Sequence, residues 1–177
     1  WKDIRTHIDI AAQSLSEAGA TIEQPDLPLM KYAFDIWAAM LSDISTKSYS
    51  EVLAQSGSMN PWWEMLRLFT GFGRHTFAAL VLAGTDRLVD LLPKRKAKFL
   101  ARGLELQKSI EAALGQDGVL LFPPYSRTAP RHWLPWLTPF DAQVTAVFNV
   151  METPVTQVPV GLSSRGLPCG VQVVGSR

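Results

Sequence analysis

The sequence predicts an α/β fold, helix-rich over its first two-thirds and sheet-forming over its last third. Three observations predict it. Apolar residues recur at spacings of three and four through the segments that lead up to Leu114, the period of helices with one buried face. The end of the chain carries two short apolar runs, Val155–Val160 and Cys169–Val174, entered through Pro154 and Pro168 and separated by the polar turn Gly161–Gly166. That is strand, turn, strand. A further apolar run, Val119–Phe122, is stopped by Pro123-Pro124. All three runs read as buried strands of one sheet.

The elements follow in order. Trp1, Ile4, Ile8, Ala11, Leu15 and Ala18 share one face of a first helix that Gly19 ends. Ala20–Glu23 is a short strand candidate. A second helix runs from about Leu29 to Ile44, with Phe34, Trp37, Leu41 and Ile44 as one stripe and Met30, Ala33 and Met40 beside it. Such a stripe is either core or the lining of an apolar ligand channel, because flexible Met and flat Trp suit both. Asn60-Pro61 marks a helix start, with Asn as cap and Pro in the first turn. Trp62, Trp63, Met65, Leu66, Leu68, Phe69 and Phe72 follow, then Gly71 and Gly73 as breaks and a second apolar helix at Thr76–Leu82. The pair is either an internal hairpin or a surface cap that meets lipid or another protein chain. Pro93 opens a long helix, Lys94–Leu114, which buries Phe99, Leu106, Ile110 and Ala113 and ends at Gly115. The loop Tyr125–Phe140 is dense in aromatics and carries Pro130, Pro135 and Pro139, a composition that stiffens the backbone and can shape a pocket mouth. Val144–Phe148 is helical, with Ala142, Thr145, Ala146 and Asn149 on one face.

Composition bounds the function. The 177 residues are 47% hydrophobic and 19% charged, with a net charge of +1: a globular chain with a real core and no bias toward nucleic acid or acidic partners. The basic run Lys94-Arg95-Lys96-Ala97-Lys98 reads as a solvated helix face. One cysteine, Cys169, excludes an intrachain disulfide and reads as a buried structural thiol. There is no signal-peptide pattern and no run of eighteen apolar residues, so a cytoplasmic or peripheral-membrane location is expected. The chain opens on Trp1 without an initiator Met and stops at Gly175-Ser176-Arg177 directly after a strand. It reads as a piece of a longer protein: one partial domain over 1–177, with a helical pocket or cap region at 27–92 and a sheet-forming region at 116–177.

Motifs of known chemistry are absent. His7, His75 and His132 lack metal-ligand spacing. His7 and His75 read as helix-surface residues, and His132, in the proline-rich loop, is the histidine to watch for ligand contact. No G-x-S-x-G elbow, Walker loop, H-E-x-x-H or G-x-G-x-x-G occurs. Ser163-Ser164 sits in a polar turn without the glycine- and serine-rich surroundings that expose a nucleophile and build an oxyanion hole.

In its residues the terminal strand pair resembles the amidase signature family, whose usual form is N-x-x-G-x-P-A-x-x-x-P-x-G followed by G-L-P-x-G-x-Q-x-x-G. The matching positions are Asn149, Pro154, Pro159, Gly161, Gly166-Leu167-Pro168, Gly170, Gln172 and Gly175, with a departure at Glu152-Thr153 where the family usually has a glycine. Met30-Lys31-Tyr32, Ile36-Trp37, Asn60-Pro61-Trp62, Gly118–Pro123, Ala129–His132, Pro139-Phe140, Val147-Phe148 and Pro154–Gln157 extend the likeness toward the fatty-acid-amide-hydrolase branch.

The resemblance implies the C-terminal part of the amidase signature fold, a mixed β-sheet covered by helices. It implies a hydrolase of carboxamides with no metal or organic cofactor, acting through a Ser–cis-Ser–Lys triad in the family's glycine- and serine-rich N-terminal half. No stretch here matches that half, so no catalytic residue is assigned, and the fragment alone is expected to be inactive. Its partners would be an amide substrate with an apolar acyl group, the missing N-terminal half, and a membrane surface or a second copy in a homodimer. By spacing from Pro154, the family's pocket positions fall on Pro139 and Ala142. Ala142 stands where the glutaminyl-tRNA-amidotransferase branch has a substrate-gripping aspartate, which argues for an apolar acyl group. Ile36, Met40 and Leu41 would continue the channel. Two alternatives are an amidase of the same family acting on small or aromatic amides, and a non-catalytic helical domain that binds apolar ligands or membranes.

Overall fold

The computed structural model describes residues 2–45, 47–55, 59–138, 141 and 143–176. Trp1, Pro139, Phe140, Ala142 and Arg177, named above, lie outside them. The chain forms two compact units, one made of Trp1–Phe34 with Gly103–Arg177 and the other of Asp35–Arg102.

The first unit is built on a three-stranded antiparallel sheet. Its strands are β1 (Leu120–Phe122), β2 (Val155–Leu162) and β3 (Pro168–Val174), in the order β1-β3-β2. The expected strand–turn–strand is the β2–β3 hairpin. Ser163 closes it: its backbone N–H donates to Leu167 O at 2.7 Å, and its hydroxyl accepts from Leu167 N at 3.0 Å. Gly166 takes a φ of 74°, which glycine adopts without a Cβ penalty. The register shifts between Pro159 and Gly161, where proline has no N–H for the ladder and a bulge relieves the mismatch.

Burial divides the strands unequally. β3 is buried along most of its length, β1 is half-buried, and β2 is mostly exposed, with Leu162 65% accessible. The expectation of three buried strands therefore holds for β3 alone. β3 has a neighbour on each side, whereas β2 is an edge of this sheet.

Helix α1 (Lys2–Glu17) packs against β3 and buries Ile4 and His7. His7 is thus not the surface residue expected. Its Nδ1–H donates to Asp3 O at 2.7 Å, and its Nε2 lies 3.2 Å from where a Cβ on Gly161 would stand. The helix ends at Gly19, φ 98°. The strand expected at Ala20–Glu23 is absent: this stretch is irregular and exposed, since Ile22 is its one large apolar side chain and no strand pairs with it.

Helix α2 (Ala33–Ile44) is preceded by a 3₁₀ turn at Pro28–Tyr32 rather than starting at Leu29. Its buried residues are Ala33, Ile36, Ala38 and Ala39, while Leu41 is 36% and Ile44 69% exposed. The expected stripe of Phe34, Trp37, Leu41 and Ile44 is therefore not the buried one. Periodicity locates apolar faces but does not rank two of them.

In the second unit, α3 (Tyr49–Ala54), α4 (Pro61–Phe69) and α5 (Phe77–Asp90) pack together around Met59, Leu80 and Ala83. The Asn60 cap forms as read, its side chain accepting from Trp62 N at 3.0 Å. α3, absent from the sequence reading, begins with a reciprocal Ser48/Glu51 capping box. α4 rests on α5 yet leaves Trp62, Trp63, Leu66 and Phe69 between 53% and 79% exposed. His75 lies half-buried in the loop before α5, not on a helix surface.

The long helix α6 (Pro93–Leu114) forms as expected, with Phe99, Leu106 and Ile110 buried and Leu114 in place of the exposed Ala113. After β1 come the short α7 (Leu134–Leu137) and α8 (Gln143–Met151). α8 buries Val147, Phe148, Val150 and Met151. Phe148 meets Phe122 of β1 edge to face, with ring centroids 5.2 Å apart, and Gln107 of α6 donates to Met151 O at 3.1 Å.

α8 is followed by Glu152 at φ 56°, the position where the family motif has glycine. A non-glycine residue held left-handed costs roughly 1–2 kcal/mol. Glu152→Gly is expected to stabilise the protein by about 1 kcal/mol, read as a higher urea midpoint; an unchanged or lower midpoint would contradict this reading of the turn.

Candidate functional site

The loop after β1 opens with Pro123-Pro124 and so has no N–H donors with which to continue the strand. Side chains hold it instead. Gln172 of β3 donates from Nε2 to Pro123 O at 2.8 Å, and the Thr145 hydroxyl of α8 donates to Pro124 O. Arg165, in the hairpin turn, donates to the Thr128 hydroxyl at 3.2 Å. Arg127 meets Asp141, which precedes α8, through both ends of its fork: Nε to Oδ2 at 2.9 Å and Nη2 to Oδ1 at 3.2 Å.

This loop walls a cavity of about 380 Å³ within the first unit. Pro124, Tyr125, Arg127 and Thr128 line one side, Pro159 and Cys169 of the hairpin another, and Ile4 of α1 contributes as well. Most of the lining is apolar, with a few polar groups converging on it, the general make-up of a small-molecule pocket. Gly170 lets Gln157 reach the cavity: a Cβ there would stand 2.6 Å from Val158 O and collide with the Gln157 carboxamide.

The electrostatics centre on Asp141. Burial raises its pKa, but the Ser126 and Thr138 hydroxyls and the Arg127 guanidinium together outweigh burial and hold the carboxyl below its ordinary value. Burial, then the Asp141 charge, push the Tyr125 hydroxyl up against an opposing effect of Arg127, so it stays protonated at neutral pH. Burial, helped by Asp3, raises the pKa of the Cys169 thiol; it is a packed thiol rather than a nucleophile. Ser163 locks the hairpin turn, and Ser164 donates to Asp3 Oδ2 at 3.1 Å. Both serines are thus engaged in hydrogen bonds at the hairpin turn.

Of the site residues read from sequence, Ile36, Met40 and Leu41 lie on α2. Ile36 is fully buried, Met40 half-buried and Leu41 exposed. Pro139 and Ala142 lie outside the described residues, while Asp141 beside Ala142 is described. His132 is exposed in the turn before α7, outside the cavity lining. Sequence reasoning missed Arg127, Asp141 and Gln157. Asp141 is the one acidic residue of the proline-rich stretch 123–142, which also holds Arg127 and Arg131, and that was the available signal for the first two; nothing in the spacing marks the third.

The sequence model of the family described as Amidase matches residues 2–177. The chain belongs to the amidase family, and its helices and small antiparallel sheet are the C-terminal part of that fold. It is 36% identical over 170 residues to fatty-acid amide hydrolase 2-A of Danio rerio, covering 92% of this chain and 31% of that protein. With fatty-acid amide hydrolase 2 of Homo sapiens it shares 34% over 162 residues, covering 88% of this chain and 30% of that protein. The chain thus spans about a third of the length of these relatives. Among solved structures, 6-aminohexanoate cyclic dimer hydrolase matches with a TM-score of 0.63 at 16% identity, over 98% of this chain and 38% of the other.

The lowered pKa of Asp141 fixes the sign of a pH effect. A depressed carboxyl contributes stability that is present above its unfolded pKa and lost as pH falls through the folded value. The difference in urea midpoint between wild type and Asp141→Asn should stay constant from pH 7 down to the ordinary aspartate value of 3.8 and shrink below it. A difference that closes between pH 7 and pH 5 would contradict the assignment.

Proposed function

We propose that the full-length protein hydrolyses carboxamide bonds of substrates with an apolar acyl group, fatty acid amides being the class. The observation that carries this reading is the identity to fatty-acid amide hydrolases across nearly the whole chain. The mostly apolar cavity supports it, as does the uncharged Ala142 at the position where the amidotransferase branch has an acidic residue. The chemistry is a Ser–cis-Ser–Lys triad lying in the remainder of the protein. A serine hydroxyl attacks an amide only when a base takes its proton, and lysine is that base only where its site lowers its pKa. No cofactor takes part.

This chain's contribution is one wall of the acyl pocket, at the sequence positions of Pro139 and Ala142. The exposed edge strand β2 supports a sheet completed by the N-terminal half. The segment alone is therefore inactive. The test is to assay the full-length protein and the 177-residue segment with a long-chain primary amide and with short and aromatic amides. The expected outcome is turnover by the full-length protein alone, with kcat/KM favouring the long chain. Preference for short or aromatic amides would assign the protein to a small-amide branch, and no hydrolysis of any amide would leave a binding domain without catalysis.

The exposure of Trp62, Trp63, Leu66 and Phe69 on α4 favours a second property, peripheral contact with a membrane. Amphipathic rings such as Trp partition to the headgroup level. The full-length protein should cosediment with phosphatidylcholine vesicles, and Trp62→Ser with Trp63→Ser should weaken this severalfold without changing hydrolysis of a soluble amide. Equal sedimentation of both proteins would overturn the membrane role.

A further inference from the structure

We infer that Arg127 and Asp141 are a positioning pair for substrate, joining the cavity wall to the segment that leads into α8. Four observations converge. Arg127 itself lines the cavity. It is tied to Asp141 at two points, a hydrogen bond from Nη2 to Oδ1 at 3.2 Å and an ion-pair contact of Nε with Oδ2 at 2.9 Å, which together restrict its orientation. The loop it belongs to has no strand ladder to hold it, because Pro123 and Pro124 lack N–H groups, so its place depends on side-chain ties. Those ties run to α8 through Thr145, to β3 through Gln172 and to the hairpin turn through Arg165. Of them, Arg127–Asp141 alone is made by a side chain that lines the cavity and reaches the residue next to Ala142 in sequence.

Stability alone is a weak reason for such a pair. Arg127 is 40% and Asp141 14% exposed, so water screens the pair from the arginine side and limits what it adds to folding. What the pair does supply is geometry. Lysine in place of arginine keeps the charge and loses the fork, which separates the two contributions.

The kinetic side of this inference rests on the amide-hydrolase reading above; the structural side does not. In the full-length protein, Asp141→Asn and Arg127→Met should each raise KM for a long-chain amide about tenfold while kcat changes less than about threefold. Arg127→Lys should fall between these and wild type, and the charge-reversed double variant should recover part of the loss. Hydrogen exchange read by mass spectrometry should show faster exchange over residues 125–131 in Asp141→Asn, with protection of β3 unchanged. An unchanged KM in both single variants would overturn the proposal, and so would a fall in kcat that tracks lower thermal stability with no change in KM. If wild type cleaves no amide, the hydrolase reading fails and the exchange measurement decides the pair: unchanged exchange over 125–131 then overturns it.

Discussion

β3 can be saturated only from both sides, and the first unit is arranged around that requirement. A buried strand needs partners for its backbone N–H and C=O groups, and β3 finds them in β2 along its length and in β1 at Gln172–Val174. α1 then covers it. Gly170 and Gln172 of the same strand serve the cavity, one by leaving room for Gln157 and the other by holding Pro123 O. A displacement of β3 would therefore disturb the sheet, the helix packing and the loop together.

The proline-rich loop shows the complementary solution. It opens on two residues without N–H donors and is fixed by side chains drawn from α8, β3 and the hairpin turn. Such a wall can be tuned one residue at a time without altering the sheet, which suits a family whose members act on different amides.

Much of this was legible in the sequence, for identifiable reasons. The β2–β3 hairpin, the Asn60 cap, α6 and its end at Gly115 follow from prolines, glycines and capping residues, whose effects are local. The likeness to the amidase signature family was legible in the same stretch. Burial was less so. Val155–Val160 and Cys169–Val174 look alike as text, yet one is an edge and the other a centre, a difference made by partners far along the chain. The choice between two apolar faces of α2 failed for the same reason, and so did His7, which is buried because Gly161 leaves room for it. At the site, the Arg127–Asp141 pair spans fourteen residues with no periodicity to reveal it. α3 was missed although Ser48 and Glu51 announce it.

The docking of α1 on the hairpin joins stretches far apart in the sequence. Ser164 donates to Asp3 across 161 positions, and residues 35–102 form their own unit in between. During synthesis α1 emerges long before the strands that cover it, and at 5–20 residues per second the wait is on the order of ten seconds. Contacts this distant in sequence also form slowly once the chain is complete. The second unit, local in sequence, is free to fold during that interval. An apolar helix face left waiting is where a chaperone would act on this chain, and where a destabilised variant would begin to aggregate.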